Sequence, residues 1–128
     1  MKKIFISALF AAFFAVSAFA GKNDKEVVYI FGVSINYNDS IAYFTEIMPV
    51  EGVKLENGIL PARQHYAYEL KDYMSLSEGM PNRTSVIFFA KKRSKLERVE
   101  QTVKGRLLRD EKKMVRYLGD KFKFTRPL

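Results

Sequence analysis

The chain of 128 residues contains no cysteine and only one histidine. The absence of cysteine excludes disulfides, thiolate metal sites, thiol nucleophiles and lipid attachment through a thiol. The folded chain must therefore be stabilised by its core alone.

The motifs of common enzyme sites are also absent. No serine stands in a Gly-x-Ser-x-Gly pattern, and no glycine-rich phosphate-binding loop is present. His65 and Glu69 are four residues apart, a spacing that places a base and its orienting carboxylate, or two metal ligands, on one helical face. Two ligands do not make a catalytic zinc site. The sequence therefore predicts no metal and no cofactor, and it contains no pattern that supports catalytic activity. A non-enzymatic binding domain is favoured, with a small hydrolase or transferase that uses His65 and a carboxylate as the alternative.

The first twenty residues have the pattern of a secretory signal peptide. Lys2 and Lys3 precede a predominantly apolar run over residues 4–16, and small residues occupy Ala18 and Ala20. This run is shorter than the roughly 20 helical residues that span a membrane. We therefore predict cleavage after Ala20 and export of residues 21–128 to the periplasm or the medium, as one soluble domain without a transmembrane span. An uncleaved membrane anchor is the alternative.

Charge is distributed unevenly along the chain. The protein has 22 basic and 14 acidic residues. Residues 21–83 contain 6 basic and 9 acidic side chains, whereas residues 84–128 contain 14 basic and 5 acidic ones. Such asymmetry concerns partners and solubility rather than the fold. It favours an envelope polyanion or another envelope protein as the partner, and nucleic acid is not expected for an exported chain.

Hydrophobic alternation predicts two strands near the start of the mature chain. The stretches "KEVVYIFGVSINYN" and "SIAYFTEIM" both alternate with a period of two, and Asn38 and Asp39 suit the turn of a hairpin between them. Gly32 within the first strand suggests a bulge or a close approach. Residues 49–61 are rich in turn formers, which predicts a loop.

The rest of the chain alternates between helical and strand patterns. Residues 61–76 predict a helix with Pro61 at its first position, and residues 84–90, "TSVIFFA", predict a central strand buried on both faces. Ser94 and Glu97 have the spacing of a capping box at the start of a second helix. The buried stripe of that helix is expected to contain Leu96, Val99, Val103 and Leu107, and alternation resumes in "KMVRYL" and "DKFKF".

These elements predict an α+β fold in the order β-β-α-β-α-β. We expect a two-layer sandwich with a mixed sheet of four to five strands. Both helices are expected on one face of the sheet. A strand, crossover helix and strand favour a parallel pair, whereas the initial hairpin is antiparallel.

Three kinds of binding surface follow from these patterns. Basic side chains near and on the second helix predict a surface for anions, although an ordinary solvated helix face has the same composition. Tyrosines around His65 form a candidate surface cluster, and an exposed sheet edge that adds a partner strand is a further possibility. The candidate anion-binding residues are Lys91, Lys92, Arg93, Arg98, Arg109 and Lys112, and the candidate surface cluster contains His65, Tyr66, Tyr68 and Glu69.

Three segments of the mature chain carry a resemblance to a known group of proteins. They are "VVYIFGVSINYNDSIAYFTEI", "YAYELKDYM" and "SVIFFAKKRSKLE". Together with the signal peptide, they resemble small exported proteins of Bacteroidetes without an assigned function. The resemblance covers most of the mature chain and implies an exported protein, and it carries over no activity and no site residues.

Overall fold

The computed structural model describes residues 26–127, which form a five-stranded sheet and two helices. The predicted signal peptide, residues 1–20, lies outside the described residues, so it and the predicted export remain predictions. Within residues 26–127, none of the helices is both long enough and apolar enough to cross a bilayer. The elements are β1 (Val27–Ile35), β2 (Ile41–Phe44), β3 (Met48–Glu51), α1 (Arg63–Leu76), β4 (Thr84–Ala90), α2 (Arg93–Arg109), β5 (Met114–Tyr117) and a 3₁₀ turn (Gly119–Lys121).

β1 is the central strand of the sheet. Its β-branched and aromatic residues suit a pleated, buried strand. Along one side β1 pairs with β4, and along the other it pairs with β2 and β3, all three antiparallel. β5 extends the sheet by pairing with β2 in parallel. The predicted α+β class, the mixed sheet and the antiparallel hairpin of the first two strands are therefore confirmed.

β3 was not expected, because residues 49–61 had the composition of a loop. Between β2 and β3 the chain bulges at Thr45, whose backbone amide donates to the Gly32 carbonyl oxygen at 2.9 Å. The Gly32 amide in turn donates to Thr45 Oγ1 at 2.9 Å. A side-chain hydroxyl is therefore the acceptor where a regular sheet would have a backbone carbonyl oxygen. Pairing with β1 then resumes at Met48. The fully buried Thr45 hydroxyl thus lets one stretch of chain follow the whole length of β1.

The two helices contact different cores. In α1, Tyr66, Leu70 and Met74 are buried in a cluster with Val28 and Ile30 of β1. In α2, Leu96 is buried in a second cluster, whose β1 members are Phe31 and Val33; Val99, Val103 and Leu107 pack against it as the predicted stripe.

Neighbouring residues of a strand face opposite sides, so these clusters lie on opposite faces of the sheet. The expectation that both helices cover one face is therefore corrected. The physical reason is that both faces of β1 are apolar, and each needs its own cover.

The close approach predicted at Gly32 is present. A Cβ atom at this position would lie 2.8 Å from Leu70 Cδ2 and 3.1 Å from Phe124 Cζ. α1 and the C-terminal segment both pack directly against the β1 backbone because no side chain separates them.

The two helices begin differently from the sequence prediction. Ala62 has a left-handed φ of 56°, so Pro61 precedes a turn instead of occupying the first helical position of α1. α2 begins at Arg93 after an extended Lys92, and no side chain caps its first turn. The predicted capping box at Ser94 is therefore wrong. Ser94 is already inside the helix, and Glu97 accepts from Arg93 Nε at 3.3 Å instead.

Ser94→Ala is accordingly expected to change the free energy of unfolding by no more than about 0.5 kcal/mol. An exposed serine inside a helix without a capping hydrogen bond contributes little, whereas loss of a true N-cap typically costs about 1 kcal/mol. Urea denaturation of both proteins measures the difference. A loss above about 1 kcal/mol would restore Ser94 as the cap.

The C-terminal part of the sheet is simpler than predicted. β4 and β5 run in the same direction but do not pair, because β1 and β2 lie between them, and the parallel pair is β2 with β5. Beyond β5 the alternation of Phe122 and Phe124 does not form a strand. Both rings are nevertheless buried in the cluster beneath α1.

Candidate functional site

The predicted anion-binding residues do not form one compact surface. Lys91 and Lys92 are exposed immediately after β4, whereas Arg109 is the last residue of α2. A helix of 17 residues is about 25 Å long, so these two groups lie far apart. Lys112 lies beyond the helix in a left-handed conformation, φ 55°, and does not share the helical spacing.

Two of these residues remain aligned on α2. Arg98 and Arg109 are eleven residues apart, about three helical turns, and both are exposed. Arg93 is engaged locally, because it bonds to Glu97 and its guanidinium lies 5.9 Å from the centre of the Tyr29 ring. The prediction of a polyanion-binding face now depends on Arg98 and Arg109.

His65 and Glu69 are brought together, but both contact the C-terminal segment. His65 Nε2 lies 2.8 Å from the Thr125 carbonyl oxygen and 3.7 Å from Glu69 Oε1. The Thr125 amide donates to Glu69 Oε1 at 3.0 Å, and the Thr125 hydroxyl donates to the same carboxylate. Within residues 26–127 no three histidine or carboxylate side chains gather as a metal site requires. The pair therefore holds the chain end against α1.

The tyrosines of the candidate surface cluster point in different directions. Tyr66 is fully buried, and its hydroxyl has no hydrogen-bond partner in the part of the chain described. Burial is the main reason that the pKa of Tyr66 is raised. Tyr68 is 63% exposed. His65, Tyr66, Tyr68 and Glu69 thus do not form a common surface, because the helical turn that exposes Tyr68 buries Tyr66.

A buried arginine, which the sequence patterns did not single out, joins three parts of the fold. Arg83 is 3% exposed and precedes β4. Its Nε donates to Ser34 Oγ at 2.9 Å, and its Nη2 donates to the Ser34 and Ile41 carbonyl oxygens at 2.9 and 2.8 Å. The fourth bond, at 2.6 Å, goes to Asp39 Oδ2 in the β1–β2 turn. These bonds use the donors of Arg83 within the fold, so its role is structural.

Asp39 should make the stability of the protein sensitive to acid. The amide of Ile41 and the Arg83 guanidinium both hold the pKa of Asp39 below its ordinary value. A lowered pKa in the folded state means that stabilisation is complete above about pH 4 and is lost as the pH falls through the folded-state pKa. We expect unfolding midpoints of Asp39→Asn to fall less steeply below about pH 4 than those of the parent. If the unfolding midpoints of both proteins fall equally steeply below about pH 4, Asp39 is not the group that causes the acid sensitivity.

β4 presents a free edge. Gly32 directs its amide and carbonyl groups to Thr45, on the β2 side. Backbone groups alternate along a strand, so Phe31 and Val33 direct theirs to their β4 partners, Phe88 and Val86. The amides and carbonyls of the intervening β4 residues therefore point away from β1. Among the strands described, β4 pairs with β1 alone, which leaves Ser85, Ile87 and Phe89 with outward-facing backbone groups.

This edge lacks the features that usually protect sheet edges. β3 contains Pro49 and Glu51, and the four-residue β5 contains the exposed Arg116. β4 has seven residues without charge, proline or glycine, and all seven have consecutive partners on β1 without a bulge. The β4 edge is therefore the most suitable of the three for pairing with another strand.

A groove of about 640 Å³ runs between the β4 edge and the start of α1. Its strand wall contains Ser85 and Ile87, whose side chains face α1. The Ser85 hydroxyl is buried and has no partner within residues 26–127. The complete lining consists of Ala62, Arg63, Gln64, Ala67, Ser85, Val86 and Ile87.

Comparison with known proteins adds no family: no protein family, curated protein or solved structure matches this chain. The resemblance to exported Bacteroidetes proteins thus stays a prediction. The β4 edge and the groove beside it are therefore the structural features that bear on function. Among the sequence patterns, only the uncharged stretch "TSVIFFA" corresponds to them.

Proposed function

We propose that this protein is an exported, non-enzymatic binding domain that adds an extended segment of a partner protein to the free edge of β4. The observation that carries the proposal is the row of outward-facing backbone groups at Ser85, Ile87 and Phe89. A strand that pairs there satisfies these groups and places alternate side chains in the groove beside α1. Main-chain hydrogen bonds supply affinity, and the groove supplies specificity.

The alternative enzyme hypothesis has less support from the contacts. His65 and Glu69, the pair it requires, both contact Thr125, and the His65 ring also meets the Tyr66 ring edge-on at 5.2 Å. A catalytic role would require both side chains to give up their hydrogen bonds to Thr125. The edge of β4 needs no such rearrangement, which is why binding is the function we favour.

The test compares two substitutions at Ser85. Ser85→Pro removes one outward amide without removing a hydrogen bond to β1, whereas Ser85→Ala removes only the hydroxyl. The probe is an acetylated, amidated octapeptide of alternating valine and glutamine with a fluorescent label. We expect anisotropy to show binding to the parent and to Ser85→Ala, and at least tenfold weaker binding to Ser85→Pro, because the proline cannot donate to the added strand.

Hydrogen exchange locates the bound peptide. In the free protein the amides of Ser85, Ile87 and Phe89 should exchange faster than those of Val86 and Phe88, and the peptide should slow the first group selectively. Circular dichroism and urea denaturation must show that Ser85→Pro is folded. If Ser85→Pro is not folded, the hydrogen-exchange pattern of the parent protein is the test of the proposal. Slow exchange at all five amides without peptide, or unchanged exchange with it, would refute the proposal.

A further inference from the structure

The groove beside β4 is lined by one charged side chain, and that side chain is cationic. Arg63 lies on the first turn of α1, with its guanidinium carbon 5.8 Å from the centre of the Phe89 ring. The Ser85 hydroxyl on the opposite wall is buried and has no partner within the described chain. A group that accepts hydrogen bonds from both walls would satisfy this hydroxyl and pair with the guanidinium.

The start of α1 adds to the preference for a negative charge. Ala62 occupies the cap position and offers no side-chain hydrogen bond, and no acidic residue lies in the first turn. Ala62, Arg63 and Gln64 line this end of the groove, so no acidic side chain of the first turn offsets the positive end of this helix of 14 residues. The positive end of α1 is an observation independent of the Ser85 hydroxyl, because Ser85 belongs to the sheet.

Other charges along the edge have the same sign. Lys71 Nζ donates to the Arg83 carbonyl oxygen at 3.1 Å, which places a second cation at the start of β4, and Lys91 and Lys92 follow its end. The nearest acidic residues on α1 do not neutralise them. Glu69 is bonded to Thr125, and Asp72 is exposed roughly 140° around the helix from the groove residue Ala67.

We propose that the partner strand carries an acidic side chain on its α1-facing side, and that this carboxylate enters the groove to pair with Arg63 and to accept from the Ser85 hydroxyl. The inference rests on the proposed function, since it names the chemistry of the strand that β4 receives. α1 and β4 run in opposite directions, because Arg63 lies near Phe89 and Lys71 near Arg83. An internal acidic residue that enters the groove leaves the whole edge available for pairing, whereas a terminal carboxylate there would use only part of it.

The experiment varies one residue of the labelled octapeptide. Acetylated, amidated peptides with glutamate, glutamine or lysine at the central groove-facing position are titrated against the parent protein. A fourth peptide has glutamine at that position and a free C-terminal carboxylate. We expect the glutamate peptide to bind about tenfold more tightly than the glutamine peptide, as one charge-assisted hydrogen bond implies, and the lysine peptide to bind most weakly.

Two variants assign the charge preference to the groove. Arg63→Gln should reduce the tenfold preference for the glutamate peptide over the glutamine peptide to about twofold, whatever its effect on the affinity that both peptides share. Lys95→Gln removes an exposed cation from α2 and should retain the full preference.

The outcomes separate this inference from the proposed function. If none of the peptides binds, the proposed function fails. If all four bind equally and Ser85→Pro weakens them all, edge pairing stands and the acidic preference is refuted. A preference confined to the free C-terminal carboxylate would also refute it. If ultracentrifugation shows a dimer that Ser85→Pro dissociates, the occupant of the edge is a second copy of this chain, and both proposals are overturned.

Discussion

Replacing Arg83 by methionine is expected to lower the free energy of unfolding by about 3–5 kcal/mol. The side chain is 3% exposed and donates to the Ser34 hydroxyl, to two carbonyl oxygens and to the Asp39 carboxylate. Methionine fills similar space, but it leaves these acceptors without their donor. Buried polar groups that lose their partners account for most of the expected loss.

Matched variants separate burial from charge in this experiment. Arg93→Met also removes an arginine, but Arg93 is exposed and makes one local ion pair with Glu97, so its loss should be at most about 0.5 kcal/mol. Arg83→Lys keeps the charge but cannot make the forked set of bonds, and we expect an intermediate loss. Urea denaturation with an unchanged m-value measures all three. Equal losses for Arg83→Met and Arg93→Met would show that the buried network contributes no special stability.

Three of the strands were predictable because their signal is local. β1, β2 and β4 follow from period-two alternation and from an uncharged apolar run, and hydrophobic burial acts on each residue directly. The same alternation also determines which face of the sheet each helix covers. Val28 and Ile30 are apolar on one face of β1, and Phe31 and Val33 are apolar on the other, so one layer of helices cannot cover both.

Errors arose where contacts that the patterns do not report decided the local structure. The Ser94 and Glu97 spacing fits a capping box, yet the N-cap of α2 is Lys92, two residues before Ser94, and Glu97 pairs with Arg93. β3 forms because Thr45 reaches Gly32, thirteen residues away, and carries the chain across a bulge in register with β1. A capping motif or turn composition cannot report such contacts, since each is weaker than the packing that overrides it.

The candidate site could be anticipated only in part. The run "TSVIFFA" predicted a central strand buried on both faces, and this prediction is wrong, because β4 is an edge strand in which only Ile87 and Ala90 are buried. An edge strand and a central strand can have the same composition. Strand order depends on which partner takes the other side of β1, and the long-range bulge at Thr45 determines that β2 and β3 share it. Arg63 and Ser85 come together only when α1 crosses beside β4, so their juxtaposition has no sequence signal.

Phe124→Ala is expected to lower the free energy of unfolding by about 3–5 kcal/mol, although Phe124 is four residues from the chain end. Its ring is 9% exposed and meets the Phe122 and Tyr66 rings at 4.8 and 5.8 Å between centroids. It also lies over the bare backbone of Gly32, where no side chain from β1 can fill the space that alanine would leave. The C-terminal segment therefore acts as part of the core beneath α1.

Tyr66→Phe is the matched control for this prediction, because it changes the same aromatic cluster without making a cavity. The Tyr66 hydroxyl is buried without a partner among residues 26–127, so its removal should leave stability unchanged or raise it by up to about 1 kcal/mol. Thermal and urea unfolding of both variants give the comparison. If Phe124→Ala costs less than about 1 kcal/mol, the terminal segment does not contribute to the core. Its hydrogen bonds to His65 and Glu69 would then be a surface association, which is a weaker structural argument against the histidine and carboxylate pair as a functional site.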